Sequence, residues 1–227
     1  MNTTYSLQEI GTNFMYRVYG WMAAGLGLTA STAYWVSTTT LATKLITNSG
    51  LFLILMLVQL GLVIGLSFFI DRMSYSMAAL GFMAYSLLTG VTLSSLFLIY
   101  TQASLVGTFI IAAGMFAAMA VYGYFTKADL TTMGSILFMA LIGLIIGFVV
   151  NIFLKSSAFN TALSAFGVLI FAGLTAYDVQ RIKQMSYSLL NQGDMAQRVS
   201  ILGALTLYLD FLNLFLSLLS FTGKRRD

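Results

Sequence analysis

Long apolar runs divide the sequence, and short polar segments separate them. Each run is about 20 residues long, the length that an α-helix needs to cross about 30 Å of hydrocarbon. The pattern predicts membrane spans at about 18–37, 51–70, 76–100, 105–125, 134–154, 161–180 and 201–221. The predicted fold is therefore an all-α membrane protein, a bundle of seven transmembrane helices with one membrane domain.

The polar segments define the predicted connections and tails. Residues 1–17 are predicted to be a cytoplasmic amino-terminal tail, 18–221 the seven-helix membrane domain, and 222–227 a basic carboxyl-terminal tail. The stretch 38–50 is rich in Thr and predicts a loop. A longer polar connection is expected at 181–200, between the sixth and seventh spans.

The last apolar run carries an acid, Asp210, near its middle. A carboxylate at the centre of a bilayer costs about 3 kcal/mol, so Asp210 is expected to face the protein interior and to have a partner. Small and polar residues recur at helical spacing on the same side. They form what we call the polar stripe: Gly203, Thr206, Asp210, Asn213, Ser217 and Ser220. We predict a buried last helix whose polar stripe faces other helices or a water-filled cavity.

A second acid, Asp178, lies near the end of the sixth predicted span, directly after Tyr177. Asp178 and Asp210 are equally far along the chain from Asp194, so an antiparallel helical hairpin would bring the two acids level. Two carboxylates in a low-dielectric site cannot both ionise at low cost, and such a pair is expected to share a proton. The spacing predicts a proton sensor, which could admit a hard cation such as Ca²⁺ when both acids are ionised.

Simpler interpretations of these acids stay open. Asp178 has Arg181 one helical turn away, and the two could form an ion pair at the membrane surface. Asp210 could be satisfied by Asn213, Thr206 or a tyrosine hydroxyl, and could then serve packing alone.

Composition sets the class of protein and excludes several kinds of chemistry. Only 8% of the residues are charged and 59% are hydrophobic, whereas soluble domains carry about 25% charged residues. The chain contains no cysteine, histidine or proline, which excludes thiolate metal sites, Ser-His catalysis and proline kinks. The net charge of +4 is too small to indicate nucleic-acid binding and suits contact with lipid head groups.

Basic residues give a weak signal for topology. With seven spans the termini lie on opposite sides, and the Lys and Arg residues divide almost evenly between the two sides. Their distribution slightly favours a cytoplasmic amino terminus. Arg72, at the end of the second span, is either a charge that sets topology or a cation that latches the carboxylate pair.

Two motifs carry a resemblance to a known family. One is Ala-Tyr-Asp-Val-Gln at 176–180, and the other is Ala-Leu-Thr-Leu-Tyr-Leu-Asp-Phe-Leu-Asn-Leu-Phe at 204–215. Together they resemble the Bax inhibitor family of transmembrane proteins. The segment 122–130 is similar to the bacterial, inner-membrane branch of that family, and the resemblance covers the chain from about Arg17 onward.

The resemblance implies a fold and a function. The family fold is a seven-helix bundle with the last helix at its centre. The implied activity is a pH-sensitive calcium leak gated by an aspartate pair, which maps onto Asp178 and Asp210, with Arg72 as the nearest match to a latching arginine. Some members carry an acid in the second helix, where this chain has Gln59. Bacterial relatives are linked to a membrane-bound AAA protease through their amino-terminal tail, here residues 1–17.

The leading hypothesis is a pH-sensitive calcium or cation leak channel in a bacterial inner membrane. Its expected partners are the lipid bilayer and cations, and no cofactor is expected besides transient Ca²⁺ at the aspartate pair. The residues expected to support the site are Asp178, Asp210, Tyr177, Thr206, Asn213 and Ser217. The alternative is a regulatory membrane protein that associates with a membrane AAA protease or modulates a stress response.

Enzymatic and carrier functions are weaker hypotheses. Tyr177-Asp178 fits the first motif of intramembrane aspartyl proteases, but Asp210 lacks the Gly-x-Gly-Asp context and the chain has no proline for the third motif. No enzymatic activity is therefore expected. A carrier with alternating access would show broken helices and inverted repeats, which the sequence does not suggest.

Overall fold

Helices make up most of the described chain. The structure is a computed structural model that describes residues 3–189 and 193–226, with side chains from residue 11 onward. Its helices are α1 (Thr3–Ser37), α2 (Thr40–Thr47), α3 (Ser49–Phe69), α4 (Tyr75–Leu93), α5 (Leu96–Ile99), α6 (Gln102–Phe125), α7 (Thr131–Leu154), α8 (Ser157–Ser188) and α9 (Gly193–Thr222). A 3-10 turn, Ile70–Arg72, follows α3.

Six of the described helical segments are long and apolar enough to cross a membrane. They are Ser49–Arg72, Tyr75–Ile99, Gln102–Phe125, Thr131–Leu154, Ser157–Ser188 and Gly193–Thr222. The first predicted span, 18–37, lies within α1 and does not qualify, because Gly, Ser, Thr and Tyr residues interrupt its apolar stretch. The all-α membrane fold is thus confirmed, whereas the count of seven spans is not.

The prediction of a loop at 38–50 was wrong, because this stretch contains the short helix α2. The Thr39 side chain caps the helix by accepting a hydrogen bond from the Leu41 N–H. Ala42 and Leu45, three residues apart, are buried on one face of α2. Burial of this face gives α2 the tertiary support that a two-turn helix lacks by itself.

The polar connection predicted at 181–200 is also mostly helical. α8 continues to Ser188 and α9 begins at Gly193. Within the extension of α8, Ile182 and Ser186 are buried, and this burial stabilises helical turns that their polar neighbours do not predict. The helical hairpin on which the level pair of acids depended is therefore longer than the apolar runs indicate.

The third predicted span, 76–100, is divided into α4 and α5. The break falls at two adjacent serines. The Ser94 hydroxyl donates to the Val91 carbonyl and the Ser95 hydroxyl to the Thr92 carbonyl. Such local hydrogen bonds from serine to the backbone compete with the helical pattern and account for the break.

The chain forms two compact units, each described by itself. Unit 1 comprises residues 1–101, 184–208 and 225–227, and unit 2 comprises residues 102–183 and 209–224. α8 and α9 contribute residues to both units. They are the most buried of the six candidate spans, whereas α3 and α7 are the least buried.

In unit 1, α1 and α4 run parallel and pack closely along their length. Gly25 abuts the Phe82 ring, and Thr29 donates a hydrogen bond to the Ser86 carbonyl at 2.9 Å. Further along, a Cβ added to Gly90 would meet the Thr32 side chain at 2.7 Å. These contacts keep a nearly constant offset between the two helices, and small residues allow the close approach.

In unit 2, the aromatic side of α9 packs against α6. Phe211 lies edge-on to Phe109 and Phe116, with ring centroids 5.3 and 5.7 Å apart. α7 packs against α8 through glycines, since Leu137 covers Gly173 and Leu163 covers Gly147. With its aromatic side against α6, α9 can turn its polar stripe toward α8.

Candidate functional site

Within unit 2, α8 and α9 run antiparallel, and the polar stripe of α9 lies along α8. At one end, the Ser220 hydroxyl is hydrogen-bonded to the Asn160 amide at 3.1 Å and to the Ser164 hydroxyl at 2.9 Å. Next along, a Cβ added to Gly167 would meet the Ser217 hydroxyl at 2.6 Å. Later residues of α8 therefore contact earlier residues of α9, as expected for an antiparallel pair. Continued along the two helices, this order leads to Asp178 and Asp210.

The two acids meet on these helices. The carboxyl groups of Asp178 and Asp210 lie within hydrogen-bonding distance of each other. Both side chains are buried, with 8% and 6% exposure. Ionised carboxylates only accept hydrogen bonds, so a hydrogen bond between the two groups requires a proton on one of them. The sequence-based pairing of Asp178 with Asp210 thus corresponds to a close contact in the structure.

The Asp210 carboxyl has few other polar neighbours. Its Oδ2 atom is fully buried and accepts no hydrogen bond from a donor group in the described part of the chain. Thr206, named above as an alternative partner, instead donates to the Leu202 carbonyl of its own helix. An orphaned buried carboxylate oxygen is costly, and protonation of the pair removes that cost.

Asp178 has a second charged neighbour in Arg181, one turn further along α8. Arg181 is exposed and is close enough to attract the Asp178 carboxylate electrostatically. Asp178 therefore lies between a buried acid and an exposed cation. This asymmetry gives Asp178 the better-stabilised negative charge, while Asp210 is the deeper member of the pair.

Tyr177, which was predicted to support the site, packs its side chain against α7. Its ring packs directly on Gly134 near the start of α7, where a Cβ would lie 2.5 Å from the ring carbons. Ser217 is buried beside Gly167, and Asn213 is half-buried one turn after Asp210. Both lie on the stripe where the sequence placed them.

Arg72, the predicted latch, lies in unit 1 on the 3-10 turn that follows α3, and its side chain is exposed. The acids lie in unit 2. The latch therefore stays a prediction. Gln59, where the family resemblance implies an acid in some members, donates a hydrogen bond to the Thr92 hydroxyl at 2.9 Å. Its amide thus joins α3 to α4.

Two residues that follow Asp178 on α8, Gln180 and Lys183, form a clamp on the α6–α7 connection that the sequence did not predict. Gln180 is buried two residues after Asp178, and its amide bonds the backbone of the α6–α7 connection. It donates to the Ala128 carbonyl at 2.8 Å and accepts from the Leu130 N–H at 3.0 Å. The signal was a glutamine inside a largely apolar helix, a residue that is rarely buried without such partners.

Lys183 completes this clamp on the next turn of α8. Its ammonium donates to the Tyr124 carbonyl at 2.7 Å and lies 4.2 Å from the centre of the Tyr124 ring. A cation at the end of α6 also satisfies one of the carbonyls that a helix terminus leaves unpaired. The part of α8 that directly follows Asp178 is thereby fixed to α6 and to the α6–α7 connection.

Asp129 organises the start of α7 outside the membrane spans. Its Oδ1 atom accepts hydrogen bonds from the Thr131 hydroxyl at 2.6 Å and from the Thr131 N–H at 2.9 Å. These hydrogen bonds, the one from the hydroxyl first, lower the pKa of Asp129 below its ordinary value. Asp129 therefore binds the first residue of α7 and stays ionised at neutral pH.

Unit 1 contains a second buried polar cluster, again unforeseen from the sequence. The Tyr208 ring is fully buried, and its hydroxyl is 2.6 Å from the Thr29 hydroxyl. The rings of Phe82 and Tyr85 lie edge-on to it at centroid distances of 5.6 and 5.9 Å. Tyr208, which belongs to the 204–215 motif, thus joins α9 to α1 and α4.

Comparison with known sequences places the chain in a family. The pattern of the family described as "Inhibitor of apoptosis-promoting Bax1" matches residues 11–227. The chain belongs to this family. The match confirms the resemblance drawn from the Tyr177-Asp178 and Asp210 motifs.

Individual relatives extend this result. The inner membrane protein YbhL of Escherichia coli (strain K12) is 49% identical over 215 residues, covering 94% of this chain and 92% of its own length. An uncharacterized protein of Borreliella burgdorferi is 46% identical over 230 residues, covering 100% and 99%. One of Deinococcus radiodurans is 44% identical over 228 residues, covering 100% and 96%. The described residues include six helices apolar enough to cross a membrane, so the chain is a multi-pass membrane protein of this family.

Proposed function

We propose that the chain forms a pH-sensitive cation leak pathway, with Ca²⁺ as the ion, gated by Asp178 and Asp210. The observation that carries the proposal is the contact between these two buried carboxyl groups on α8 and α9. Membrane-spanning segments seldom contain acids, and those that do commonly use them to move protons or ions.

The gate works through the charge of the pair. With one proton bound, a hydrogen bond joins the two carboxyl groups and holds α8 and α9 together. When the proton leaves, two negative charges face each other at close range in a low-dielectric site and repel. Repulsion loosens the α8–α9 contact and opens the stripe around Asn213 and Ser217. The leak is therefore expected to rise with pH.

The deprotonated pair also supplies the ligands for a passing cation. Carboxylate oxygens are the hard ligands that Ca²⁺ prefers, and the ion usually takes six to eight of them. Among the described residues no group of three or more acidic, histidine or cysteine side chains is placed to hold a metal. Two carboxylates give a weak site, which suits transient passage of the ion and requires no resident cofactor.

A flux assay tests the gate. Purified protein is reconstituted in liposomes that enclose a Ca²⁺ indicator, and leak rates are measured from about pH 6 to pH 8. The wild type should leak faster at higher pH. Asp210→Asn keeps a hydrogen-bond donor beside Asp178 but cannot ionise, so its leak should be low and independent of pH. Asp178→Asn should flatten the profile in the same way.

Asp71→Asn is the matched control, because it removes an exposed acid from a turn without touching the pair. Its pH profile should equal that of the wild type. If both pair variants keep the rate and the pH profile of the wild type, the proposed gate is wrong. Folding of each variant is checked by its elution as a single species and by its melting temperature.

We further propose that α1 crosses the membrane, which would give seven spans. Its support is the pairing of α1 with the candidate span Tyr75–Ile99, which comprises α4 and α5. At one end Trp21 contacts Tyr75, with ring centroids 6.2 Å apart, and at the other end Tyr34 contacts Phe97 at 6.1 Å. A helix that follows a span from end to end shares its environment, and partners can shield the polar residues of α1.

A second candidate function uses the start of α1. The helix begins at Thr3, well before the apolar stretch, and Asn13, Tyr16 and Arg17 are exposed on it. We propose this helical extension as the docking element for a membrane AAA protease. Deletion of residues 2–12 should abolish co-purification of the protease and leave Ca²⁺ leak unchanged. Unaltered co-purification would reject the proposal and leave the proposed gate untouched.

A further inference from the structure

Unit 1 contains an open cavity of about 590 Å³ along the seam between α1 and α4. α1 contributes Arg17, Trp21 and Ala24 to its wall, α4 contributes Tyr75 and Met83, and α9 contributes Gln197. Arg17 and Trp21 lie where the apolar stretch of α1 begins, Tyr75 is the first residue of α4, and Gln197 lies near the start of α9. The cavity is therefore placed at one end of membrane-spanning helices and is open to the surroundings of the protein.

The wall of this cavity changes from polar to apolar along the helices. Arg17 and Tyr75 lie at the end where α4 begins, and the contact between the Trp21 and Tyr75 rings marks the boundary. Ala24 and Met83 follow seven and eight residues further along their helices, about 10–12 Å deeper at 1.5 Å per residue. A ligand that fills the cavity needs a polar head and an apolar tail.

Arg17 is the charged group at the polar end, and its guanidinium is exposed. It makes no hydrogen bond or ion pair with the residues from 11 onward whose side chains the structure describes. Arg198, in the same unit, is by contrast occupied, since it donates to the Asp71 and Met73 carbonyls, each at 2.9 Å. A guanidinium that is free to donate several parallel N–H groups is well suited to a phosphate.

We propose that this cavity binds one anionic phospholipid. The phosphate lies on Arg17, Gln197 supplies a hydrogen-bonding amide beside it, and an acyl chain follows the apolar wall past Trp21, Ala24 and Met83. Basic pockets between membrane helices bind anionic head groups, and tryptophan and tyrosine rings favour the same interfacial depth. The proposal does not depend on the aspartate gate, whose residues lie in unit 2.

Binding is measured on the purified full chain in detergent by native mass spectrometry, with phosphatidylglycerol and phosphatidylcholine supplied separately. The wild type should retain phosphatidylglycerol in preference to phosphatidylcholine. Arg17→Gln should lower retention of phosphatidylglycerol about fivefold, the effect expected for loss of one basic contact to an anionic head group. Ala24→Trp should also lower it, because the larger ring fills the apolar end while leaving Arg17 in place.

Lys127→Gln is the charge-matched control, since Lys127 is an exposed basic residue outside the cavity. It should bind as the wild type does. Equal retention by Arg17→Gln and wild type would overturn the proposal, as would equal retention of phosphatidylcholine. Glycerol 3-phosphate separates the head group from the whole lipid: if it raises the melting temperature as much as phosphatidylglycerol does, the site binds a free phosphate and the lipid assignment is wrong.

Discussion

α6 and α8 approach each other closely at Gly123, because a glycine has no side chain to keep the two backbones apart. A Cβ added to Gly123 would overlap the Ala176 carbonyl group, which belongs to the backbone of α8 and cannot rotate away. Gly123 lies in the Tyr-Gly-Tyr segment that the sequence analysis associated with the bacterial branch of the family. Its role in packing is therefore visible only when α8, which is distant in sequence, is placed against it.

We predict that Gly123→Ala destabilises the protein by about 1–3 kcal/mol, because the inserted methyl group forces α6 and α8 apart. The measurement is thermal unfolding of the purified protein in detergent. Gly114→Ala on the same helix is the control, since nothing lies within 4 Å of its added Cβ. That substitution should leave stability unchanged or raise it slightly. Equal melting temperatures for the two variants would contradict the packing assigned to Gly123.

The sequence predicted that the two acids lie near each other, and it gave no sign of their surroundings. Asp178 and Asp210 stand out because acids are rare in apolar helices, and equal spacing from Asp194 predicted their pairing. Gln180 and Tyr208 are polar residues whose partners come from distant parts of the chain. No local pattern specifies such partners, so only the folded structure reveals what these side chains do.

At the scale of elements, the connection between α6 and α7 is shaped by α8. The Gln180 amide bonds both the Ala128 carbonyl and the Leu130 N–H, and the Lys183 ammonium bonds the Tyr124 carbonyl. The segment therefore owes its conformation to side chains of another helix as well as to its own Asp129, which accepts a hydrogen bond from the Thr131 N–H. Asp178 lies just before Gln180 on α8, so this clamp also fixes the helix that carries the acid.

We predict that Gln180→Ala loosens this connection and costs about 1–3 kcal/mol of stability, because two backbone groups lose their buried partners. Hydrogen exchange should show faster exchange at Leu130, whose N–H is then unprotected. Gln184→Ala, an exposed position one turn later on α8, is the control and should leave exchange at Leu130 unaltered. Unchanged exchange in Gln180→Ala would mean that the clamp does not hold the connection.

The extent of the helices was predicted well where they are apolar and poorly where they are polar. The spans expected at 105–125 and 134–154 agree closely with α6 and α7. A loop was expected in place of α2, and a polar connection in place of the extensions of α8 and α9, because hydropathy alone separates apolar from polar stretches. Helical turns in polar sequence are stabilised by burial of a few side chains, such as Leu45 and Ile182, which depends on tertiary packing.

For the whole molecule, the position of α1 determines the topology. Six spans would put the two termini on the same side of the membrane, and seven would put them on opposite sides. The absence of cysteine makes the distinction accessible, since single cysteines can be introduced without background labelling. Asn13 and Lys224 are exposed positions near the two ends and suit this purpose.

We predict that a membrane-impermeant maleimide applied to intact spheroplasts labels Lys224→Cys and does not label Asn13→Cys. After lysis, both variants should be labelled. The expectation follows from a seventh crossing by α1 together with a cytoplasmic amino terminus. Labelling of both variants, or of neither, before lysis would place the termini on one side and reject the seventh span.

The sequence by itself determined that this is a helical membrane protein with two acids on its last two spans. Those conclusions rest on local properties: the length of apolar runs, the rarity of charge within them, and helical spacing along one segment. Only the tertiary structure decided that the Asp178 and Asp210 carboxyl groups lie within hydrogen-bonding distance, that Gln180 holds the α6–α7 connection, and that Arg17 lines a cavity. Each of these depends on residues distant in the chain, whose meeting is decided by packing.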